Sequence, residues 1–192
     1  RFRQGNGEFI WNGNLDTDTN AISGELNFSH WNIPSVAAFL RFPIHDVTGE
    51  ISGSMALGGT IDSPDASAKF QIENGMLGDT AMGTGSAELT YRDHVLDIHK
   101  FRVPVGQGVL AVKGNMQKDG SLDMEIGTDS VDISWIPAVL LNNPGTHMGG
   151  TLTTEISLRG TVTDPEADVS VSIDHPVYHN FSFDHAYLMA NV

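Results

Sequence analysis

The chain contains no cysteine, which excludes disulfide staples, thiol nucleophiles and cysteine-ligated zinc. Basic residues are scarce: 10 Lys and Arg stand against 24 Asp and Glu, a formal net charge of −14. A surface of that sign repels phosphate, so nucleic acid is excluded as a partner, as is adsorption of the outer face to anionic headgroups. No run approaches the roughly 18 consecutive apolar residues of a membrane-spanning helix. No signal peptide opens the sequence, and Arg1-Phe2-Arg3-Gln4 reads as an interior stretch of a longer protein.

What is present is order and repetition. Hydrophobic residues make up 40% and charged residues 18% of the 192, the composition of a folded chain and not of a disordered one. Twenty-one glycines argue against helices, where each costs roughly 1 kcal/mol. Motifs recur in order at a fixed offset. Gly13-Asn14 matches Gly114-Asn115, Gly49 matches Gly150, and Gly59-Thr60-Ile61-Asp62-Ser63-Pro64-Asp65-Ala66 matches Gly160-Thr161-Val162-Thr163-Asp164-Pro165-Glu166-Ala167. Two copies of one unit are expected, 1–101 and 102–192, in one continuous repeat domain whose units share a core.

Almost everything alternates with the period of two of half-buried strands. Ile51, Met55, Leu57 and Ile61 fall on one face with Gly53 and Gly59, while Glu50, Ser52, Ser54, Gly58 and Thr60 fall on the other, with Ala56 the one apolar side chain among them. After Pro64 come Phe70 and Ile72 with Ala66 and Ala68, then Leu89 with Ala87 and Tyr91. Leu110, Val112 and Met116 follow, then Leu122, Met124 and Ile126. The second copy supplies Leu152, Ile156, Leu158 and Val162 with Thr154, then Val169, Val171 and Ile173. Turns are marked by Asn74-Gly75, Asp119-Gly120, Asp62-Ser63-Pro64 and Asp164-Pro165. The expected fold is all-β: one long antiparallel sheet, apolar on one face.

Two apolar runs break the alternation, each led by proline: Pro34-Ser35-Val36-Ala37-Ala38-Phe39-Leu40 and Pro137-Ala138-Val139-Leu140-Leu141. Proline suits the first position of a helix, where its missing N–H would have no partner. Short helices near 34–41 and 137–142 are expected on the apolar face, with Trp31 and Trp135 wedged just before them.

A one-sided sheet must bury its apolar face. One solution is a sandwich or barrel filled by its own side chains. The other is a curled sheet forming an open apolar groove that meets a guest. Small inward residues (Gly53, Gly59, Ala66, Ala68, Ala87, Gly114) leave room, and Met55, Met116 and Met124 give a yielding lining.

The string Gly49-x-Ile51-x-Gly53-x-Met55-x-Leu57-x-Gly59-x-Ile61-x-x-Pro64-x-Ala66, preceded by the proline-led run, resembles the TamB/AsmA-like family. So does Val103-Pro104 followed by Gly108-Val109-Leu110-Ala111-Val112-Lys113-Gly114-Asn115-Met116 and Gly120-Ser121-Leu122-Asp123-Met124. The resemblance implies a large inner-membrane-anchored protein of didermic bacteria that crosses the periplasm as a taco-shaped β-trough. It implies phospholipid acyl chains as the guest between inner and outer membranes, or nascent outer-membrane β-strands. It also implies an Omp85-type outer-membrane partner, bound through regions that nothing here matches. The likeness is to a middle section, without the family's anchor. The twenty large inward residues named above would line the groove. A self-filled structural β-repeat stalk is the alternative that needs no guest.

Catalytic patterns are missing, and no enzyme, cofactor or metal site is expected. His175, His179 and His185 surround Pro176 in a strand-and-turn region, and no carboxylate stands at a zinc-protease spacing. His94 and His99, on a strand with Asp93 and Asp97, read the same way, as surface histidines. Asp16-Thr17-Asp18-Thr19-Asn20 starts like a calcium loop, but Ala21 holds the glycine position and Asn27 the bidentate glutamate position, so a polar hairpin turn is expected. Gly5-x-Gly7, Gly83-x-Gly85 and Gly106-x-Gly108 precede no helix that could bind phosphate.

Overall fold

The computed structural model describes residues 1–4, 6–35, 46–139 and 145–191. The alternating segments become β1 (Phe2–Gln4), β2 (Gly7–Leu15), β3 (Ile22–Asn32), β4 (Val47–Gly59), β5 (Pro64–Leu77), β6 (Thr80–Ala81) and β7 (Gly85–Arg92). They continue as β8 (Val95–Val105), β9 (Gly108–Met116), β10 (Leu122–Asp132), β11 (Met148–Thr161), β12 (Asp164–Tyr178), β13 (Phe181–Ser182) and β14 (His185–Asn191). All fourteen belong to one sheet, a meander in chain order in which β6 and β7 share one edge of β5, and β13 and β14 share one edge of β12. Every pairing is antiparallel. The first and last strands do not pair, so the sheet curls without closing into a barrel.

The two copies correspond strand for strand: β2 with β9, β3 with β10, β4 with β11, β5 with β12, β6 with β13, β7 with β14. Even β1 repeats the tail of β8. Phe2↔Phe9, Arg3↔Glu8 and Gln4↔Gly7 stand 101 residues before Val103↔Leu110, Pro104↔Val109 and Val105↔Gly108. The division at 101/102 falls inside β8.

Backbone irregularities repeat as well. Register shifts between Phe28 and Trp31 and between Thr128 and Val131 accompany left-handed His30 (φ 52°) and Ser130 (φ 53°). Their backbone N–H groups donate to Ser52 Oγ (3.0 Å) and Thr153 Oγ (3.4 Å) respectively. Matching shifts lie between Thr48 and Glu50 and between Gly149 and Thr151, at Gly49 (φ 132°) and Gly150 (φ 127°). Such bulges bend a strand and increase its twist, so a line of them across the sheet helps it curl.

Residues 33–35 are helical, and the rest of the helix expected near 34–41 lies outside the described residues. The second proline-led run forms a helix over Ile136–Val139; residues 140–142 of the extent expected near 137–142 also lie outside them.

The packed core is small and off-centre. Ile72, Val103, Val105 and Val131 are buried together, with Ile33, Ile51, Leu77, Met82, Phe101, Leu110 and Trp135 against them. These positions lie toward one end of the strands, where Ile33 and Trp135, beside the prolines that lead the two apolar runs, pack onto the sheet. The segment at Ser134, Trp135 and Pro137 faces Thr48 and Met76 of β4 and β5 across a cleft of about 740 Å³. The total accessible surface is 12002 Å², against about 9,000 Å² for a compact chain of 20.7 kDa. The excess of about 3,000 Å² measures how far the sheet is from folding onto itself.

Strand β1 is tied to β2 by charge. Arg1 and Arg3 both donate to Glu8, Arg3 from 2.7 Å, and together they pull its carboxyl down to about 2. The contribution of that pairing is complete above the usual carboxylate range near 4.5 and is lost as pH falls through about 2.

The apolar face as candidate functional site

Cross-strand register puts the predicted residues on one face. Ile51 pairs with Ile72, Gly53 with Phe70, Met55 with Ala68, and Leu57 with Ala66. Ala68 continues to Leu89. Val112 pairs with Ile126, Gly114 with Met124, Met116 with Leu122, and Leu110 with Thr128. Across β10 and β11 the rows are Met124↔Leu158 and Ile126↔Ile156. They end at Leu152↔Ile173, Thr154↔Val171 and Ile156↔Val169.

Burial separates these positions. Of the twenty, Ile72 is buried, seventeen are half-buried, and Ile61 (53% exposed) and Val162 (59%) stand out on the rim. Ile61 and Val162 occupy equivalent turns: the Ile61 N–H donates to the Asn20 carbonyl at 2.9 Å and the Val162 N–H to the Gly120 carbonyl at 3.0 Å. Every fully buried side chain within a described strand lies on this face: Ile72, Val103, Val105, Val131 and Thr154 toward the core end, and the small Ala87 and Ala68 one and two rows further along. Thr154 is tolerated there because its hydroxyl meets that of Thr128 at 3.0 Å. Toward the opposite end the large aliphatics are only half-covered, and among the described residues no second layer lies over them.

At the first strands the face turns aromatic. Phe9 stands edge-on to Trp31 at 4.0 Å between ring centroids and 6.1 Å from Phe28. Trp11, 39% exposed, lies over Gly13 and Gly24. Trp31 and Trp135 are wedges at the starts of the helical segments, and both indole N–H groups are buried without a hydrogen-bond partner among the described residues. Each such group costs roughly 1–3 kcal/mol.

Comparison with protein families, with curated proteins and with solved structures finds no match. The site is therefore read from its own chemistry. Among the described residues no three His, Asp or Glu side chains converge as metal ligands. His185 pairs with Asp174 at 2.8 Å, while His175 and His179 sit at left-handed backbone positions of a bulge and a turn. Asp16 caps the β2–β3 turn, its Oδ1 accepting from the N–H groups of Asp18 (2.9 Å) and Thr19 (3.1 Å).

Part of the face escapes strict alternation. Leu96 and Ile98 face inward, and so do Phe101, Val103 and Val105, because the bulge at His99-Lys100 inverts the phase. The same inversion at Ser130 brings Val131 inward after Ile126 and Thr128. The signal that finds them is an apolar run whose parity changes midway, with histidine or serine at the crossing.

Proposed function

We propose that this chain is a non-enzymatic segment of a periplasmic bridge. Its apolar face takes phospholipid acyl chains moving between inner and outer membranes, as the TamB/AsmA-like resemblance implies. The observation that supports this most is a row of large aliphatic side chains, β4 through β12, left half-exposed on one face of an unclosed sheet. Each CH₂ kept from water is worth about 0.8 kcal/mol, so a 16-carbon chain gains roughly 10 kcal/mol on entering such a surface. No pointwise recognition is needed. Thirteen- to fifteen-residue strands carrying similar residues in the same rows offer equivalent places side by side. In this reading the segment belongs to an inner-membrane-anchored protein whose Omp85-type partner is met elsewhere in the chain.

A second reading, in which the guest is a nascent β-strand, draws on the β13–β14 edge. Phe181 (69% exposed), Leu188 (56%) and Met189 (69%) stand there on strands whose outer edge pairs with no other strand among the described residues, and such an edge templates strand addition.

The two readings separate by photo-crosslinking. A lipid-reactive crosslinker at Met55, Leu57 or Ile156 is expected to label phospholipid, while one at Ser54 or Glu155, on the opposite face, is not. Equal labelling from both faces rejects a one-sided lipid surface.

A further inference from the structure

The apolar face is bounded on one side by a rim of five hairpin turns, those joining β2–β3, β4–β5, β7–β8, β9–β10 and β11–β12. Each carries at least one exposed carboxylate: Asp16 and Asp18, Asp62, Asp93 and Asp119 within the turns, and Asp164 at the first position of β12. Basic side chains scarcely offset them. Lys118 is the only Lys or Arg in the linking turns, and Arg92, at the end of β7, is 3.7 Å from Asp65. Four of the turns are tied in two pairs: β2–β3 is hydrogen-bonded to β4–β5 through Asn20 and Ile61, and β9–β10 to β11–β12 through Gly120 and Val162.

A second pattern coincides with the first. Three of these turns set an exposed aliphatic residue close to the acid: Leu15 beside Asp16, Ile61 beside Asp62, and Val162 two residues before Asp164. Their exposures are 57%, 53% and 59%. The apolar surface thus runs out to the rim and meets negative charge there. Two of the acids accept turn hydrogen bonds that favour the ionised form. Turn N–H groups of Thr19 and Asp18 hold Asp16 below the usual carboxylate range, and the Ser121 hydroxyl and N–H do the same for Asp119.

From this juxtaposition we infer that the rim makes the apolar face selective for amphiphiles whose headgroup carries an ammonium, zwitterionic or cationic, and against net-anionic headgroups. The inference rests on the acyl-chain reading above and specifies which lipids it admits. Successive turns on one rim are two strands apart, roughly 10 Å, which is about one Debye length at 0.1 M salt. A headgroup held at the rim by its acyl chains therefore feels one or two turns at a time. An ammonium is attracted there, whereas a glycerol phosphate brings only like charge.

The test uses the full chain and vesicles that contain phosphatidylethanolamine and phosphatidylglycerol in equal amounts with identical acyl chains. Both lipids share one vesicle surface, so repulsion of the acidic protein by the vesicle cancels from the ratio. At about 20 mM salt, protein re-isolated from the vesicles is expected to carry the ethanolamine lipid over the glycerol lipid by about tenfold, and in 0.5 M salt by less than about twofold. The combined variant Asp62→Asn, Asp119→Asn, Asp164→Asn is expected to bring the low-salt ratio toward one while total lipid per chain stays the same, which also shows that the variant is folded. Equal loading at low salt, or a ratio the triple variant leaves unchanged, overturns the inference while leaving the groove. Failure to load either lipid rejects the groove reading itself and the headgroup selection with it.

Discussion

Replacing Gly114 with alanine is expected to lower stability by about 3 kcal/mol, seen as a urea midpoint about 1.5 M lower. Gly114 lies in β9 at φ 135°, a region that L side chains rarely adopt. A Cβ there would stand 2.2 Å from the Asp123 carbonyl oxygen and 2.5 Å from Met124 Cα. Both obstacles are backbone of the paired strand β10, so relief requires the β9–β10 ladder to move. The equivalent Gly13 is also crowded by backbone, with the Ser23 carbonyl oxygen at 2.6 Å and Gly24 Cα at 2.8 Å. Gly58 and Gly127 supply the control. The closest approach to an added Cβ is 4.0 Å at Gly58 and 3.5 Å at Gly127, so their alanine variants are expected to unfold within about 0.5 kcal/mol of the parent. A Gly114→Ala variant as stable as Gly127→Ala would show that the β9–β10 register described here is wrong.

Truncation along the apolar face is expected to give two very different costs. Ile72→Ala should lose about 3 kcal/mol, and Ile126→Ala about 1 kcal/mol or less, in the same urea titration without lipid. Ile72 is 7% exposed. It reaches Val103 across Gly85, where an added Cβ would lie 3.2 Å from Ile72 Cβ and 3.0 Å from Val103 Cγ2, so glycine is what lets the two side chains meet. Removing Ile72 leaves a cavity in the one packed cluster. Ile126 faces the same way between Val112 and Ile156 but is only half-buried, so its truncation exposes less new surface and opens no enclosed void. Equal costs at the two sites would mean that the face is packed throughout, as a self-filled stalk requires.

How much could be read in advance follows from where the backbone is regular. The run from Ile51 to Leu57 alternates without interruption and pairs row for row with Ile72, Phe70, Ala68 and Ala66 of β5, while Ile61 lies beyond the strand and stands out on the rim. The repeat was legible for a related reason: Gly59 and Gly160, with φ of 80° and 81°, keep glycine in both copies because the turn that follows needs that conformation. Of the four buried core residues only Ile72 follows from simple alternation. Phe101, Val103, Val105 and Val131 come after bulges, and nothing in a strictly alternating pattern marks the added residue that reverses the phase. Position along a strand was hidden as well. Ile72 and Ile156 are the same residue type on the same face, yet one is buried and the other half-buried, because Ile72 sits in the cluster that Ile33 and Trp135 pack against. Residue type announces a face, while depth depends on what crosses above it.

The central claim is that this sheet leaves an oily surface which a lipid tail covers. The most direct measurement is organic extraction of the chain purified without detergent from a membrane-bearing host, with phospholipid quantified per polypeptide by mass spectrometry. At least one phospholipid per chain is predicted, falling when Ile126 and Ile156, paired across β10 and β11, are both changed to aspartate. A folded protein that comes through purification free of lipid and takes up none from vesicles would contradict the account.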